Sequence, residues 1–385
     1  MYVRHLSVVD FRVWPEADIE LPAGPVTFVG GNGQGKTSLL EALGYLAGLS
    51  SHRAAADAAL VRVGAERAVV RAAVVAAGRE LRPEIEIVPG RSNRARLGGA
   101  ALPRARELLG VVRTILFAPE DLSIVRGDPG ERRRFLDDLA VARLPRLAGT
   151  RADYDRVLKQ RAALLKSAGA RRRDGAMDLS TLDVWDGHLV TAGAELLRAR
   201  LETVRDLAPY LAAAHSQVAP DSEPVALTYQ SDVLPADSSA ERTADAVPSL
   251  DVLRELLATR LHSVRGAELE RGVNLAGPHR DDLAIRLGQL PARTHASQGE
   301  SWSVALACRL AAYELLRADD LPGGDPVLLL DDVFAQLDRE RREHLARVAG
   351  KAEQAWITAA VAADVPDELA GARFAVRDGR VTRDE

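Results

Sequence analysis

Gly30-Gly-Asn-Gly-Gln-Gly-Lys36-Thr37 follows the apolar run Val26-Thr27-Phe28-Val29 and precedes Ser38-Leu39-Leu40-Glu41-Ala42-Leu43. Strand, glycine turn and helix in that order are the context in which a loop cradles phosphate. The glycines let the backbone curl until successive amides point at phosphate oxygens. The helix N-terminus adds partial positive charge. In this reading Gly30, Asn32, Gly33, Gln34, Gly35, Lys36, Thr37 and Ser38 line the site. Lys36 reaches the β- and γ-phosphates of ATP and Thr37 meets Mg2+. A glycine-rich turn that binds nothing is the alternative, and the flanking pattern disfavours it. Of the 51 Lys and Arg, only Lys36, Lys159, Lys166 and Lys351 are lysines. One of these few stands where a compact point charge is needed and a planar guanidinium would not serve.

Val327-Leu-Leu-Leu-Asp331-Asp332 reads as a buried parallel strand delivering two carboxylates at its C-terminal edge. Asp331 is expected to hold the magnesium through water, and Asp332 to orient or deprotonate the attacking water. Ser297-Gln298-Gly299-Glu300 fits a capping box that starts a helix. The run Val333 to Asp338 resembles the loop after the second carboxylate in ABC-type ATPases, which assigns Asp338 to the nucleotide. In that superfamily a signature serine and glycine at a helix N-terminus bind the γ-phosphate held by the other subunit. Ser297 and Gly299 stand a short way before the Asp pair, where that role belongs. Lys36, Asp332 and Ser297 are the expected catalytic groups.

The chain of 385 residues allows a large domain plus a second, and 47% hydrophobic content supports a core. Aromatics at 4% are too few for stacking on bases to dominate a nucleic-acid contact. The single cysteine, Cys308, excludes disulfides and cysteine-based zinc sites, and reads as core. A reducing cytosol is the simple inference. No signal-peptide core and no apolar run long enough for a membrane span occur. The eight histidines lack metal-ligand spacing.

The net charge of −4 hides an asymmetry. Asp121 to Arg173 carries fourteen Arg/Lys against seven Asp/Glu, leaving −11 for the remainder (−4 − 7). A basic segment on an acidic protein predicts a polyanion surface that includes Arg132, Arg133 and Arg134, and the family resemblance given below implies that the polyanion is DNA. The other reading is a solvated helical face whose arginines pair with local acids.

Residues 1–118 read as strands around one helix. Residues from about 131 to 214 have helical periodicity. Residues 216–249 are Pro-, Asp- and Ser-rich, with one strand at Val225–Tyr229, and another helix spans about 250–271. Alternation of strand and helix resumes near Leu283. The expected organisation is an α/β ABC-type P-loop ATPase head of mixed sheets with helices. It is built from 1–118 and 276–385 and interrupted by a mainly helical lobe at 119–275.

This arrangement resembles the RecF family, recombination-repair ATPases related to SMC proteins. The residues that carry the match are Leu6 to Arg12, Gly30 to Leu40, Ser51-His52-Arg53, Leu116 to Leu122, and Arg126-Gly127 with Pro129. Arg132-Arg-Arg-Phe-Leu-Asp137, Gly277-Pro-His-Arg-Asp-Asp282, Ser297 to Glu300 and Leu328 to Asp338 complete it. The resemblance implies DNA binding near single-strand/double-strand junctions, partnership with RecR and RecO in loading RecA, and an ATP-dependent homodimer. It makes Arg12 and Arg53 nucleotide contacts, with an ordinary ion pair as the alternative for each. His279 and Arg280 either support the lobe or touch DNA. Two positions depart from the wider ABC pattern: Thr358 where transporters place a histidine, and Pro119-Glu120 where a glutamine is usual. Rival readings are a transporter's soluble ATPase subunit, a phosphotransferase, and a nucleotide-gated scaffold without hydrolysis.

Overall fold

The computed structural model describes residues 1–54, 56–171, 180–235, 247–319 and 323–384. Residues 172–173 of the basic segment and 236–246 of the Pro-, Asp- and Ser-rich stretch lie outside the described residues. The chain divides into two compact units. Met1–Leu122, Tyr210–Ser222 and Ser297–Glu385 form the first, and Ser123–Pro209 with Glu223–Ala296 the second.

The first unit opens with β1 (Tyr2–Phe11), β2 (Trp14–Glu20), β3 (Gly24–Val29) and α1 (Lys36–Gly48). Then come β4 (Ala68–Ala76), β5 (Arg79–Leu81), β6 (Pro83–Ile87), β7 (Arg94–Leu97), β8 (Ala100–Leu102) and β9 (Thr114–Phe117). The second unit holds α2 (Leu122–Arg126), α3 (Pro129–Arg143), α4 (Leu147–Arg171), most of α5 (Ser180–Val218), β10 (Val225–Gln230) and α6 (Leu250–Arg271). It ends with β11 (Asp282–Leu287), β12 (Leu290–Pro291) and α7 (Ala292–His295). The first unit resumes with α8 (Gln298–Ala318), β13 (Val327–Asp331), α9 (Arg339–Lys351), β14 (Gln354–Ala359), β15 (Ala372–Arg377) and β16 (Arg380–Arg383).

Two sheets make the first unit. One is antiparallel, in the order β2-β1-β4-β6-β7-β8 with β5 on β4. The other runs β16-β15-β3-β14-β13-β9, parallel from β15 to β9. β13 is buried along its whole length, as its unbroken Val-Leu-Leu-Leu run requires between two parallel neighbours. The apolar face of α1 closes the core from Leu39, Leu40 and Leu43 onto Leu6, Val8, Val70, Val74 and Trp356. Phe28 meets Trp356 edge-on and stacks on Phe374, each at 5.6 Å between ring centroids, tying β3 to β14 and β15. Cys308 is buried on α8, and burial pushes its thiol up to about 12. No described helix is long and apolar enough to cross a membrane.

The second unit extends past the expected boundary at 275, to Ala296. The strand expected at 225 pairs antiparallel with β11, Tyr229 opposite Leu283, so the segment after Gly277 folds with the lobe. Pro129 starts α3 at its first helical position, where its missing N–H costs nothing. Ser249 caps α6, and Gly272, at φ 67°, stops it.

Arg132 to Asp137 and Gly277 to Asp282 meet inside this unit. Arg132 is 3% exposed and grips Asp282 with two nitrogens, at 2.7 and 2.9 Å. Arg133 donates to the Asp281 carbonyl at 2.7 Å. Arg200 is held by both Asp137 oxygens and the Pro278 carbonyl, while Tyr229 donates to Asp281 at 2.8 Å. The expected DNA contact at Arg132 is therefore corrected: its guanidinium is spent inside the fold, and of the three only Arg134 is exposed. Much of the local positive excess is answered from elsewhere in the unit, Arg143 by Asp206 and Arg161 by Asp186 and Glu268. Arg134, Arg146, Lys159 and Lys166 remain exposed, with no ion pair among the described residues. His279 and Arg280 bond within the unit, to Tyr154 Oη (2.7 Å) and the Asn274 carbonyl (3.1 Å).

Candidate nucleotide-binding site

β3, β14 and β13 are parallel neighbours, so their C-terminal ends share one edge, where open α/β sheets bind ligands. β3 delivers Gly30, β13 delivers Asp331, and Thr358 of β14 lies between, in register with Asp331 on one side and Phe28 on the other.

Gly30 and Gly35 are required by close approach. A Cβ on Gly30 would lie 2.2 Å from the Val376 carbonyl oxygen. Gly35 has φ 100° and a Cβ there would strike Val13 and Trp14. Trp14 Nε1 donates to the Gly35 carbonyl at 3.0 Å, so the β1–β2 hairpin braces the loop. Gln34 accepts from Asp378 N at 3.0 Å, a second brace. Asn32 and Gly33 are exposed and Ser38 is buried. No side chain caps the N-terminus of α1, so its first amides are left for an anion. Lys36 is 4% exposed, and its Nζ donates to the Gly30 and Gly31 carbonyls at 2.7 and 3.1 Å.

Asp331 Oδ1 accepts from the Thr37 hydroxyl at 2.8 Å and the Thr358 hydroxyl at 2.7 Å. Thr358 Oγ1 accepts in turn from Asp332 N at 2.9 Å. Burial pushes the Asp331 carboxyl above its ordinary range, opposed by those hydroxyls. Asp332 sits at φ 49°, a left-handed conformation that breaks the extended backbone of the strand. The Thr37 hydroxyl and Asp331 carboxylate form a hard oxygen pair, which fits magnesium held chiefly by substrate phosphates. Among the described residues no group of three or more His, Cys, Asp or Glu side chains is placed to hold a metal ion.

Arg12 donates from Nε and Nη2 to Glu41 at 2.8 and 2.6 Å and from Nη1 to the Ala59 carbonyl. The ion-pair alternative thus describes Arg12, whose fork is committed to a buried carboxylate on α1. Arg53 is exposed, and its guanidinium has no partner among the described residues. The Ser51 hydroxyl, bonded to Glu41, accepts from the amides of Arg53 and Ala54, shaping this turn. Glu41 was not singled out from the sequence, where Thr358 stood only as a departure from the wider ABC pattern. Glu41 is 1% exposed on an apolar helix face, and an acid there signals a buried partner.

Ser297 caps α8: Glu300 N donates to Ser297 Oγ at 3.2 Å and Ser297 N to Glu300 Oε2 at 2.7 Å. The Ser297 amide and hydroxyl both hydrogen-bond the Glu300 carboxylate and hold it below its ordinary range. Ser297, Gln298 and Gly299 are exposed, and nothing lies within 4 Å of where a Gly299 Cβ would be. No hydrogen bond or ion pair joins Ser297–Glu300 to Gly30–Thr37 among the described residues. Asp338 caps α9, accepting from Arg341 N at 3.0 Å.

No protein-family model matches the chain. It is 56% identical over 375 residues to the DNA replication and repair protein RecF of Kineococcus radiotolerans, covering 96% of each. It is 54% identical to that of Streptomyces avermitilis over the full length of both.

The chain belongs to the RecF family.

The solved structure of the recombination mediator protein RecF-ATPrS in the RecFOR pathway is similar, with TM-score 0.88 and 26% identity, covering 99% of this chain and 98% of that one. A RecF-ATP structure of the same pathway matches equally well at 100% and 98% coverage. An Smc head domain from Pyrococcus furiosus, at TM-score 0.52 and 15% identity, shares the fold. This RecF-family chain therefore has the mixed-sheet ATPase-head fold with added helices, and its relatives place it in recombination and repair.

Proposed function

We propose that this RecF-family protein binds ATP and magnesium at the Gly30–Ser38 loop and forms an ATP-dependent two-fold dimer. The dimer binds DNA at single-strand/double-strand junctions, hydrolyses ATP slowly, and works with RecR and RecO in loading RecA. The observation that carries the nucleotide reading is the linkage of Thr37, Asp331, Thr358 and Asp332 at one sheet edge beside an uncapped helix N-terminus. The relatives described with ATP and within the RecFOR pathway support it.

In this reading Lys36 leaves the loop carbonyls for the β- and γ-phosphates. Thr37, and Asp331 through water, would hold the metal ion, which when bound would neutralise phosphate charge. Asp332 orients the attacking water, helped by the backbone turn that Thr358 fixes. Ser297 and Gly299, open to solvent, take the γ-phosphate bound by a second copy, and Asp338 contacts the nucleotide. Arg53 has donors free for the nucleotide. Arg134, with Arg146, Lys159 and Lys166, supplies phosphate contacts to DNA. Phosphate release with and without a gapped duplex tests the whole: turnover dependent on Lys36 and raised by DNA supports it, and no turnover leaves a nucleotide-gated scaffold.

A further inference from the structure

One side chain joins the Ser297–Gly299 turn, expected to meet a second copy's γ-phosphate, to Asp338, expected at the nucleotide. Arg341, in the first turn of α9, donates from Nε to Ser303 Oγ on α8 at 2.9 Å. Its Nη1 pairs with the Asp338 carboxylate. Ser303 is fully buried and passes its own proton to the Gly299 carbonyl at 3.1 Å. Contacts therefore run without a gap from Gly299 through Ser303 and Arg341 to Asp338. An Arg–Asp pair three residues apart on a helix is ordinary and weak. A buried serine bonded back to the preceding turn is neutral or slightly unfavourable for the helix. Neither accounts for a guanidinium that reaches from one helix to a serine in the second turn of another. The planar fork fixes two N–H directions relative to each other, so the serine and the carboxylate are held at a set separation. His215 is 2% exposed and lies within the fields of Arg341 and Glu300.

We infer that Arg341 is a positioning residue, locking the Ser297–Gly299 turn and Asp338 into one rigid surface that a second copy's γ-phosphate meets. The inference rests on the split-site reading above. A γ-phosphate contact shared by two loops needs both within about 0.5 Å of their productive places, and loops are less precise than helices unless braced. Arg341 touches no nucleotide in this account. It acts through Ser303 and Asp338, and its effect falls on dimerisation and not on nucleotide binding by the monomer.

Arg341→Ala, Arg341→Lys, Ser303→Ala and the Arg341→Ala/Ser303→Ala double variant test this on the full chain. Fluorescent ATP analogue binding at low protein concentration reads the monomer. Light scattering across protein concentration with ATP and magnesium reads the dimer, and the thermal midpoint reads the fold. Monomer binding should stay within about twofold, while Arg341→Ala shifts the dimerisation midpoint roughly tenfold upward. Arg341→Lys keeps the charge but loses the fork, and should recover only part of the shift. Ser303→Ala should shift the midpoint several-fold, and the double variant should be no worse than Arg341→Ala, because both cut one linkage. Should Arg341→Ala fail to fold, Ser303→Ala, which trims one hydroxyl, carries the test. A wild type that never dimerises with ATP removes the split-site reading itself. A dimerising wild type with an unshifted Ser303→Ala or Arg341→Ala midpoint, or with additive shifts, overturns the role of Arg341 alone.

Discussion

Asp331 and Asp332 are adjacent, yet their surroundings give them different work. Asp331 is tied by two threonine hydroxyls and buried, while Asp332 turns out of the strand at positive φ. Asp332→Asn should therefore leave ATP affinity nearly intact and slow phosphate release on the order of 10²-fold or more, the range for losing a positioned acid–base group. Unchanged turnover would remove Asp332 from the chemistry. A second contrast lies in the other unit. Burial holds the His279 imidazole down to about 4, with the Arg280 and Arg133 charges acting the same way. Burial raises the Asp281 carboxyl to about 6, against hydrogen bonds from Tyr229 and Ser231. As pH falls from about 6.5 toward 4, the unfolded chain protonates this histidine and the folded chain does not, so stability is lost. Between about 6 and 4 the folded state protonates Asp281 first, which offsets that loss. Asp281→Asn should then steepen the fall in thermal midpoint between about pH 7 and pH 5, and His279→Gln should flatten it, each by roughly 2 kcal/mol or less. Equal slopes in all three proteins would contradict the assignment.

At the scale of elements, α3 carries two kinds of arginine in adjacent positions. Arg132→Ala leaves Asp282 without its partner and should cost about 3 kcal/mol in urea unfolding. Arg134→Ala should leave stability within about 0.5 kcal/mol and lower the log–log salt slope of duplex binding by about 0.9. The reverse pattern would return the DNA contact to Arg132. The sequence shows three arginines in a row and cannot say which way each faces, because the partner, Asp282, lies 150 positions away. Local signals were readable wherever one segment carried its own constraint. The Val327–Asp331 run, the Ser297–Glu300 box and the glycine loop each became the expected strand, helix start and turn. Tertiary choices were not readable. Thr358 bonds Asp331 only because β14 lies in register beside β13, and Glu41 claims Arg12 only because the β1–β2 hairpin folds over α1. The end of the second unit moved from 275 to 296 for the same reason, since β11 pairs with β10.

At the scale of the whole molecule, the proposed account makes ATP the link between two copies. Its γ-phosphate is held by one loop and capped by the partner's helix N-terminus, so a two-fold dimer contains two composite sites. Lys36→Met should abolish ATP binding and with it dimerisation. Ser297→Arg should spare ATP binding by the monomer and block dimerisation and turnover, since a bulky side chain fills the γ-phosphate contact. A mixture of the two variants can assemble at most one working site. Light scattering of wild type and Ser297→Arg at micromolar concentration, on DNA with ATP and magnesium, tests this most directly. The account predicts a doubling of mass for wild type and a monomer for Ser297→Arg. A wild type that stays monomeric, or a Ser297→Arg protein that dimerises normally, would contradict it.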